Sequence, residues 1–182
     1  MSRIGKKAIP IPKGVEVTVQ GREVTVKGPL GTLARTVQGV QVAREDGVLK
    51  VAPDEAHPNA RAMWGLMRTL LANMITGVST GFTRTLQISG TGYKAEAAEG
   101  QVVLYVGYST PVRFRLPDGV TASVEEKQTR IVLRGIDNEV LGDTAARIRK
   151  VRPVEPYRGK GIQYLGERIR RKEGKAGAGG KK

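Results

Sequence analysis

The chain has 182 residues, of which 39% are hydrophobic, so it is long enough for one or two globular domains with a buried core. Its 31 Lys and Arg against 17 Asp and Glu give a net charge of +14, which favours a polyanionic partner, either a nucleic acid or a membrane surface. The absence of cysteine excludes a disulfide framework, a thiolate metal site and a cysteine nucleophile.

The N-terminal segment is predicted to be a basic arm. Residues 1–14 contain Arg3, Lys6, Lys7 and Lys13 and no acid. Prolines interrupt the segment before any apolar run of signal-peptide length, and no run in the chain is long enough to span a bilayer. We therefore expect a soluble, cytoplasmic protein in which Arg3, Lys6 and Lys7 are candidates for contact with RNA.

The long middle of the chain contains one pattern twice. GREVTVKG at residues 21–28 resembles GQVVLYVG at 100–107, and GVQVAREDGVLKV at 39–51 resembles the longer GVTASVEEKQTRIVL at 119–133. Apolar and polar residues alternate in both copies, and this period of two predicts strands with one buried face. The spacing is too long for a solenoid and indicates two tandem copies of a small domain, with chance similarity between valine-rich strands as the alternative.

Each copy ends in a helical pattern. The first helix is predicted to follow Pro58 and to stop at Gly77. The second is predicted to begin at Asp137 or Asn138, which can cap free amides, and to end before Pro153. The positions expected to face the sheets are Met63, Leu66, Met67, Leu70, Leu71, Met74 and Ile75 in the first helix and Val140, Leu141, Ala145 and Ile148 in the second. The predicted fold class is α+β, with two similar domains that each pack one helix on an antiparallel-rich sheet.

The predicted boundaries divide the chain into three parts. Residues 1–81 form the first α+β domain with its basic arm, residues 82–152 form the second α+β domain, and residues 153–182 form a basic, glycine-rich extension that binds rRNA. Both apolar patterns are complete by Arg149, so the extension is not expected to belong to either core.

Two short stretches predict local backbone geometry. Asp46 and Gly47 predict a tight hairpin turn between two strands. GTGYK, residues 90–94, lacks the spacing of a phosphate-binding loop and is followed by alternating residues rather than a helix. We interpret it as a strand bulge or as a place where two backbone segments approach closely.

The residues do not assemble an active site. His57 is the only histidine, and its place before a predicted helix favours a capping or solvated role. Asp54 and Glu55 are neighbours in a loop rather than a spaced pair of carboxylates. We therefore predict that the chain is not an enzyme, with no metal, no cofactor and no small-molecule substrate.

The stretch VEPYRGKGIQY, residues 154–164, combines prolines, glycines, cations and tyrosines in a mixture that packed helices and strands disfavour. We interpret it as an extended segment in which Arg158 and Lys160 contact phosphates. Tyr157 and Tyr164 either stack on unpaired bases or fix the segment to the second domain, and both roles stay open. The candidate RNA-binding residues of the extension are Tyr157, Arg158, Gly159, Lys160, Gly161, Tyr164, Arg168, Arg170, Arg171 and Lys172.

Six stretches that cover nearly the whole chain occur in the order typical of one family: SRIGKKAIPIPKGV, VTVKGPLGTL, NMITGVSTGF, SGTGYKAE, EPYRGKGIQY and GERIRRKEGK. In these stretches the chain closely resembles the bacterial large-subunit ribosomal protein family "L six". Two positions depart from the pattern of that family. Val154 stands where proline or serine is usual, and Arg158 stands where lysine is usual, so the positive charge is kept.

The resemblance implies two α+β domains from a duplication and a place on the ribosome. It further implies binding to 23S rRNA near the sarcin–ricin region, beside neighbouring large-subunit proteins and close to where translation-factor GTPases dock. The residues by themselves predict only a basic nucleic-acid binder of two modules. A generic DNA- or RNA-binding architectural protein is therefore the alternative, although no recognition helix is evident, and a membrane-surface role lacks a basic amphipathic helix with exposed aromatics.

Overall fold

The structure of the chain is a computed structural model that describes residues 2–45 and 47–175. The chain forms two compact units, each with sheets and one helix. The first unit consists of Met1–Phe82 and Ile136–Asn138, and the second consists of Thr83–Gly135 and Glu139–Lys182.

The first unit packs one helix against two three-stranded sheets. Its elements are β1 (Ile9–Pro10), β2 (Glu16–Gln20), β3 (Glu23–Gly28), β4 (Gly31–Thr36), β5 (Val40–Glu45), β6 (Val48–Pro53) and α1 (Ala60–Ser79). The strand orders are β2-β3-β4 and β1-β6-β5. Alternate residues of β3 are fully buried because one face of each strand is turned inward, and they pack with Leu71 and Val78 of α1 in one apolar core.

The second unit repeats this arrangement and adds one strand. Its elements are β7 (Phe82–Ser89), β8 (Lys94–Ala98), β9 (Gln101–Tyr105), β10 (Val112–Arg115), β11 (Val120–Glu125), β12 (Arg130–Gly135), α2 (Asn138–Val151) and β13 (Gly161–Tyr164). The strand orders are β10-β9-β8 and β11-β12-β7-β13. The sheet β10-β9-β8 of the second unit corresponds to β4-β3-β2 of the first unit. The strands β11-β12-β7 correspond to β5-β6-β1. The predicted duplication of an α+β domain is therefore confirmed, and among the described strands only β13 lacks a counterpart in the first unit.

Helix α1 ends later than predicted. It continues through Gly77 to Ser79, and the chain leaves it at Gly81, whose φ is +73° and whose amide donates to Thr76 O over 3.2 Å. Gly77 lies buried inside the helix, and a glycine is needed there because a Cβ atom would overlap the carbonyl oxygen of Ile136. The glycine that ends the helix is therefore the one that needs the left-handed backbone, four residues further on.

Two apolar helix positions that were predicted to face the cores are exposed. Leu66 is 50% exposed, so the apolar stripe of α1 extends beyond the buried face of the helix. Val140 is also exposed, and Thr144 takes a buried position on α2, where its hydroxyl donates to Val140 O over 2.7 Å. The remaining predicted positions of α2 are fully buried: Leu141, Ala145 and Ile148.

The corresponding hairpins of the two units use different turns. Strands β5 and β6 pair antiparallel up to Glu45 and Val48, as the predicted hairpin requires, although Asp46 itself lies outside the described residues. The longer turn between β11 and β12 contains three consecutive non-glycine residues with left-handed backbone. These are Glu126 (φ +48°), Lys127 (φ +54°) and Gln128 (φ +68°). The extra length of the second copy is therefore accommodated in a left-handed turn.

The stretch GTGYK forms a turn between β7 and β8, so the strand bulge, one of the two predicted geometries, is wrong. The amide of Tyr93 donates to Gly90 O over 3.2 Å and closes the turn. A Cβ atom at Gly90 would lie 2.6 Å from the Tyr93 ring, and one at Gly107 would lie 2.8 Å from the Tyr93 hydroxyl. The glycines are therefore needed for the close packing of Tyr93.

The stretch that was predicted to lack regular structure contributes strand β13. This strand pairs antiparallel with β7, with Ile162 opposite Ile88. Ile162 is 0% exposed, so the second core is not complete at Arg149, and that expectation is wrong. The glycines and prolines around Ile162 hide the apolar signal of a strand that has only four residues.

Candidate nucleic-acid interface

The candidate loop before β13 is closed by hydrogen bonds around Glu155. The amide of Glu155 donates to Lys160 O, and the amide of Gly159 donates to Glu155 O, each over 2.9 Å. The Glu155 carboxylate accepts the amides of Tyr157, over 3.3 Å, and Arg158, over 3.0 Å. The chain's own hydrogen bonds therefore hold the loop as a turn, and the side chains of Tyr157 and Arg158 are exposed at its tip.

The two glycines of the loop are buried and serve its own fold. Gly161 has φ +145°, and a Cβ atom there would lie 2.7 Å from both Pro153 O and Val154 Cα. Gly159 has φ +72°, and a Cβ atom there would lie 2.9 Å from the guanidinium of Arg171. A side chain at either glycine would therefore collide with other atoms of the same chain.

The two tyrosines of the candidate site have different surroundings. Tyr164 lies half-buried on β13, and the guanidinium carbon of Arg149 is 5.7 Å from the centre of its ring. Tyr157 is 55% exposed at the tip of the turn. Tyr164 is thus packed beside α2 within the second unit, whereas the Tyr157 ring is exposed to solvent.

Glu167 links helix α2 to the end of strand β13. Its carboxylate accepts Arg149 Nε over 3.1 Å and Arg149 Nη2 over 2.5 Å, and it also accepts the Tyr164 amide over 3.0 Å. Arg149 lies in the last turn of α2. The hydrogen bonds from Arg149, and after them the bond from the Tyr164 amide, lower the pKa of Glu167 below its ordinary value of 4.5.

The pKa of Glu167 predicts an acid-dependent stability difference. Because the pKa is lower in the folded chain, ionised Glu167 stabilises the fold above the unfolded-state pKa, and this stabilisation is lost as the pH falls through the folded-state pKa. The difference in unfolding free energy between the parent and Glu167→Gln should be constant above about pH 5.5 and shrink toward zero in more acidic solution. Urea unfolding of both chains across that range measures it. The exposed Glu173→Gln serves as the control, and a parent–Glu167→Gln difference that is independent of pH would contradict the ion pair.

The basic residues after Glu167 run back along the loop. The amide of Lys172 donates to Pro156 O over 3.0 Å, and the guanidinium of Arg171 packs at Gly159. The segment is therefore held at both ends although it is neither helix nor strand. Its exposed cations are Arg168, Arg170, Arg171 and Lys172.

The N-terminal candidates lie in the first unit on an ordered segment. Gly5 is buried, and a Cβ atom there would lie 2.6 Å from the Trp64 ring. Arg68 Nε donates to Lys7 O over 3.1 Å, which holds the segment on α1. The exposed cations of this segment are Arg3, Lys6 and Lys7.

The residues that organise the site were not among the candidates predicted from the sequence. Glu155 and Glu167 are acids within strongly basic stretches, and that isolation was the only signal available. Tyr108 was not predicted either. Its exposed ring lies 5.3 Å from the guanidinium carbon of Arg152, and its hydroxyl donates to Val151 O over 2.9 Å. No spacing in the sequence links Tyr108 to the end of α2.

The other candidates for chemistry have structural surroundings. His57 Nδ1 accepts the amide of Asn59, the residue before α1, over 3.2 Å, and no side chain caps the first turn of that helix. Within residues 2–45 and 47–175, no group of three histidine or acidic side chains comes together as a metal site. In the same part of the chain, neither helix has the length and apolar character needed to cross a membrane.

The fold and the loop define a duplicated α+β protein whose second module presents an ordered basic surface. The model of the family described as "Ribosomal protein L6" matches residues 11–81 and 89–165, one segment in each module. The chain belongs to this family, as the resemblance in its sequence indicated.

Curated relatives match over almost their full length. The protein named "Large ribosomal subunit protein uL6" of Picosynechococcus sp. is 54% identical over 178 residues, which cover 97% of this chain and 99% of that protein. Its namesake from Desulforapulum autotrophicum is 52% identical over 180 residues, 98% and 99% of the two chains. The one from Caulobacter vibrioides is 50% identical over 176 residues, 96% and 99%. The family is one of structural ribosomal proteins in which rRNA binding is general, so the prediction that the chain is not an enzyme is confirmed.

Proposed function

We propose that this chain is a structural constituent of the large ribosomal subunit and binds 23S rRNA. The observation that carries the proposal is the match of both modules to relatives named as large-subunit proteins, at 54% identity over 97% of the chain. The net charge of +14 supports it, because rRNA is a polyanion of the required kind. Its place in the cell is then the ribosome in the cytoplasm.

The ordered loop of the second unit supplies the main RNA contacts in this proposal. Arg158 offers a planar fork for phosphate, and Lys160 adds a point charge beside it. Tyr157 stacks on an unpaired base, because its ring is exposed and its amide is already held by Glu155. The cations after Glu167 extend this surface by contacting further phosphates: Arg168, Arg170, Arg171 and Lys172. The buried Gly159 and Gly161 set the path of the backbone, and Tyr164 supports the loop from within the second unit.

The finer placement follows the family resemblance. We place the contact near the sarcin–ricin region of 23S rRNA, close to where translation-factor GTPases dock and beside neighbouring large-subunit proteins. The exposed N-terminal cations of the first unit, Arg3, Lys6 and Lys7, form a further contact with RNA. The alternative, a generic DNA- or RNA-binding architectural protein, shares the charge but predicts no preference for this rRNA.

Salt dependence tests the proposed phosphate contacts. The logarithm of the affinity for a 23S rRNA fragment with the sarcin–ricin region should fall linearly with the logarithm of the salt concentration, by about 0.7–0.9 for each neutralised phosphate. The double variant Arg158→Gln/Lys160→Gln should lower the slope by about 1.5. Fluorescence anisotropy at four salt concentrations measures both slopes.

A matched variant separates local contacts from total charge. Arg113→Gln/Arg115→Gln removes two exposed cations of β10 in the same unit and should leave the slope nearly unchanged. Equal slopes for the two double variants would show that the loop supplies only diffuse charge. Failure to sediment with large subunits, or equal affinity for rRNA and duplex DNA at one salt concentration, would refute the ribosomal function and favour the alternative.

A further inference from the structure

One acid stands within the most basic part of the second unit. From Pro156 to Lys172 the chain has no acidic residue other than Glu167. A surface that serves only to attract RNA gains nothing from a carboxylate at this point, because it cancels one positive charge. The three hydrogen bonds that Glu167 accepts from Arg149 and Tyr164 indicate a different use.

The bonds of Glu167 fix the start of the basic segment 168–172. Arg149 holds the carboxylate in a two-point fork, a geometry that restrains both side chains in orientation as well as in distance. The backbone bond from the Glu167 amide to Tyr164 O, over 3.0 Å, closes the turn in which Gly166 has φ +81°. Since the Lys172 amide is bonded to Pro156 O, the segment is tied at both ends.

We propose that Glu167 and Arg149 are a positioning pair that holds the cations of segment 168–172 in the arrangement in which they meet RNA phosphates. The inference rests on the proposed rRNA binding and adds how the site is organised. Arg149 is itself engaged by Glu167, so its role is to orient the segment rather than to contact phosphate. Segment 168–172 is thereby ordered before binding, which lowers the entropy that its long side chains lose in the complex.

The proposal predicts an effect opposite in sign to that of charge alone. Glu167→Gln raises the net charge by one, so an electrostatic account predicts tighter binding to rRNA at low salt. Loss of the ionic fork releases segment 168–172, so the positioning account predicts weaker binding. We expect the affinity of Glu167→Gln for the rRNA fragment to fall about fivefold and its salt slope to decrease by about one.

Glu173→Gln is the matched control. It makes the same change of charge on an exposed side chain six residues further along the chain, outside segment 168–172, and it should bind as tightly as the parent or slightly tighter. Glu167→Asp supplies a second test, because it keeps the charge but is too short to hold both Arg149 and the Tyr164 amide. Charge counting predicts no change for Glu167→Asp, whereas the positioning pair predicts weaker binding.

A combined variant shows whether Glu167 acts through the segment. In a full-length chain that carries Arg168→Gln, Arg170→Gln and Lys172→Gln, adding Glu167→Gln should no longer weaken binding. Continued weakening there, or tighter binding of Glu167→Gln in the parent background, would overturn the proposal. So would loss of native circular dichroism in both Glu167 variants, since the pair would then belong to the fold itself. A parent chain that does not prefer rRNA to duplex DNA would refute the proposed function first, which separates the two failures.

Discussion

A chain that ends at Arg149 should lose the second unit and keep the first. It lacks β13, which pairs with β7 and buries Ile162 completely, and it also lacks Glu167, the partner of Arg149. The loss of an edge strand with its buried isoleucine should lower the unfolding free energy by more than the few kcal/mol that truncating one core side chain costs. Even a few kcal/mol is a large part of the stability of one small domain. Most of the RNA affinity should be lost with the loop, and only the contact proposed for the first unit should remain.

The two units can be followed separately in this experiment. Trp64, the only tryptophan, lies in the first unit, so its fluorescence should report an unchanged unfolding transition. Amide exchange of β7 and β12 reports the second unit and should become rapid. A chain that ends at Glu173 keeps every described tether of the loop and should behave as the parent. Protected amides in β7 and β12 of the chain that ends at Arg149 would contradict the expectation.

Point variants measure the same contact on a finer scale. Ile162→Ala should lower the unfolding free energy of the second unit by about 3 kcal/mol, because it leaves a cavity in the core. Leu165→Ala removes a similar side chain three residues further on, but that side chain is 49% exposed, so the change should stay within about 0.5 kcal/mol.

Gly161→Val should be the most damaging substitution in the loop. Its Cβ would lie 2.7 Å from Pro153 O and Val154 Cα, and backbone atoms cannot rotate away as a side-chain end can. The φ of +145° adds strain, because a β-branched residue rarely adopts it. We expect a loss of about 2–5 kcal/mol, from overpacking and backbone strain together. RNA binding should fail because the loop and β13 are displaced, although no charge is lost.

The valine variants of two other glycines serve as a comparison for the stability loss expected of Gly161→Val. Gly166 has φ +81° with open space around its Cβ position, so Gly166→Val should cost only the backbone strain, about 1–2 kcal/mol. Gly159→Val meets the movable end of Arg171 and should cost about the same. Chemical unfolding of the three variants gives the ranking. If the Gly161→Val chain were as stable as the Gly166→Val chain, the backbone of residues 152–154 would have to move at little cost to make room for the valine side chain.

The duplicated fold was predictable because its signals are local. Apolar alternation and the glycines at strand ends recur in both copies, and a period of two identifies a strand without knowledge of its partner. The helix faces were only partly predictable. The sequence shows that Leu66 and Val140 have the right spacing, but how far a sheet extends beneath a helix depends on the tertiary packing.

The organisation of the loop was not predictable because its contacts are distant in sequence or involve the backbone. Glu167 and Arg149 are 18 residues apart in different elements, and no periodicity relates them. The buried Gly161 resembles any flexible glycine until the path of residues 152–154 is known. The exposed cations and Tyr157 were recognisable because their chemistry is carried by the side chain alone.

Strand β13 has a consequence for the order in which the protein is made. Chains are synthesised from the N-terminus and fold domain by domain as they emerge, so the sheets of the first unit have all their strands early. The four-stranded sheet must wait for residues 161–164, the last of the described strands to be made. Until then β7 has an unpaired edge and the basic loop has no anchor. The surface proposed to bind RNA therefore takes shape only after β13 has been synthesised, later than the sheets of the first unit.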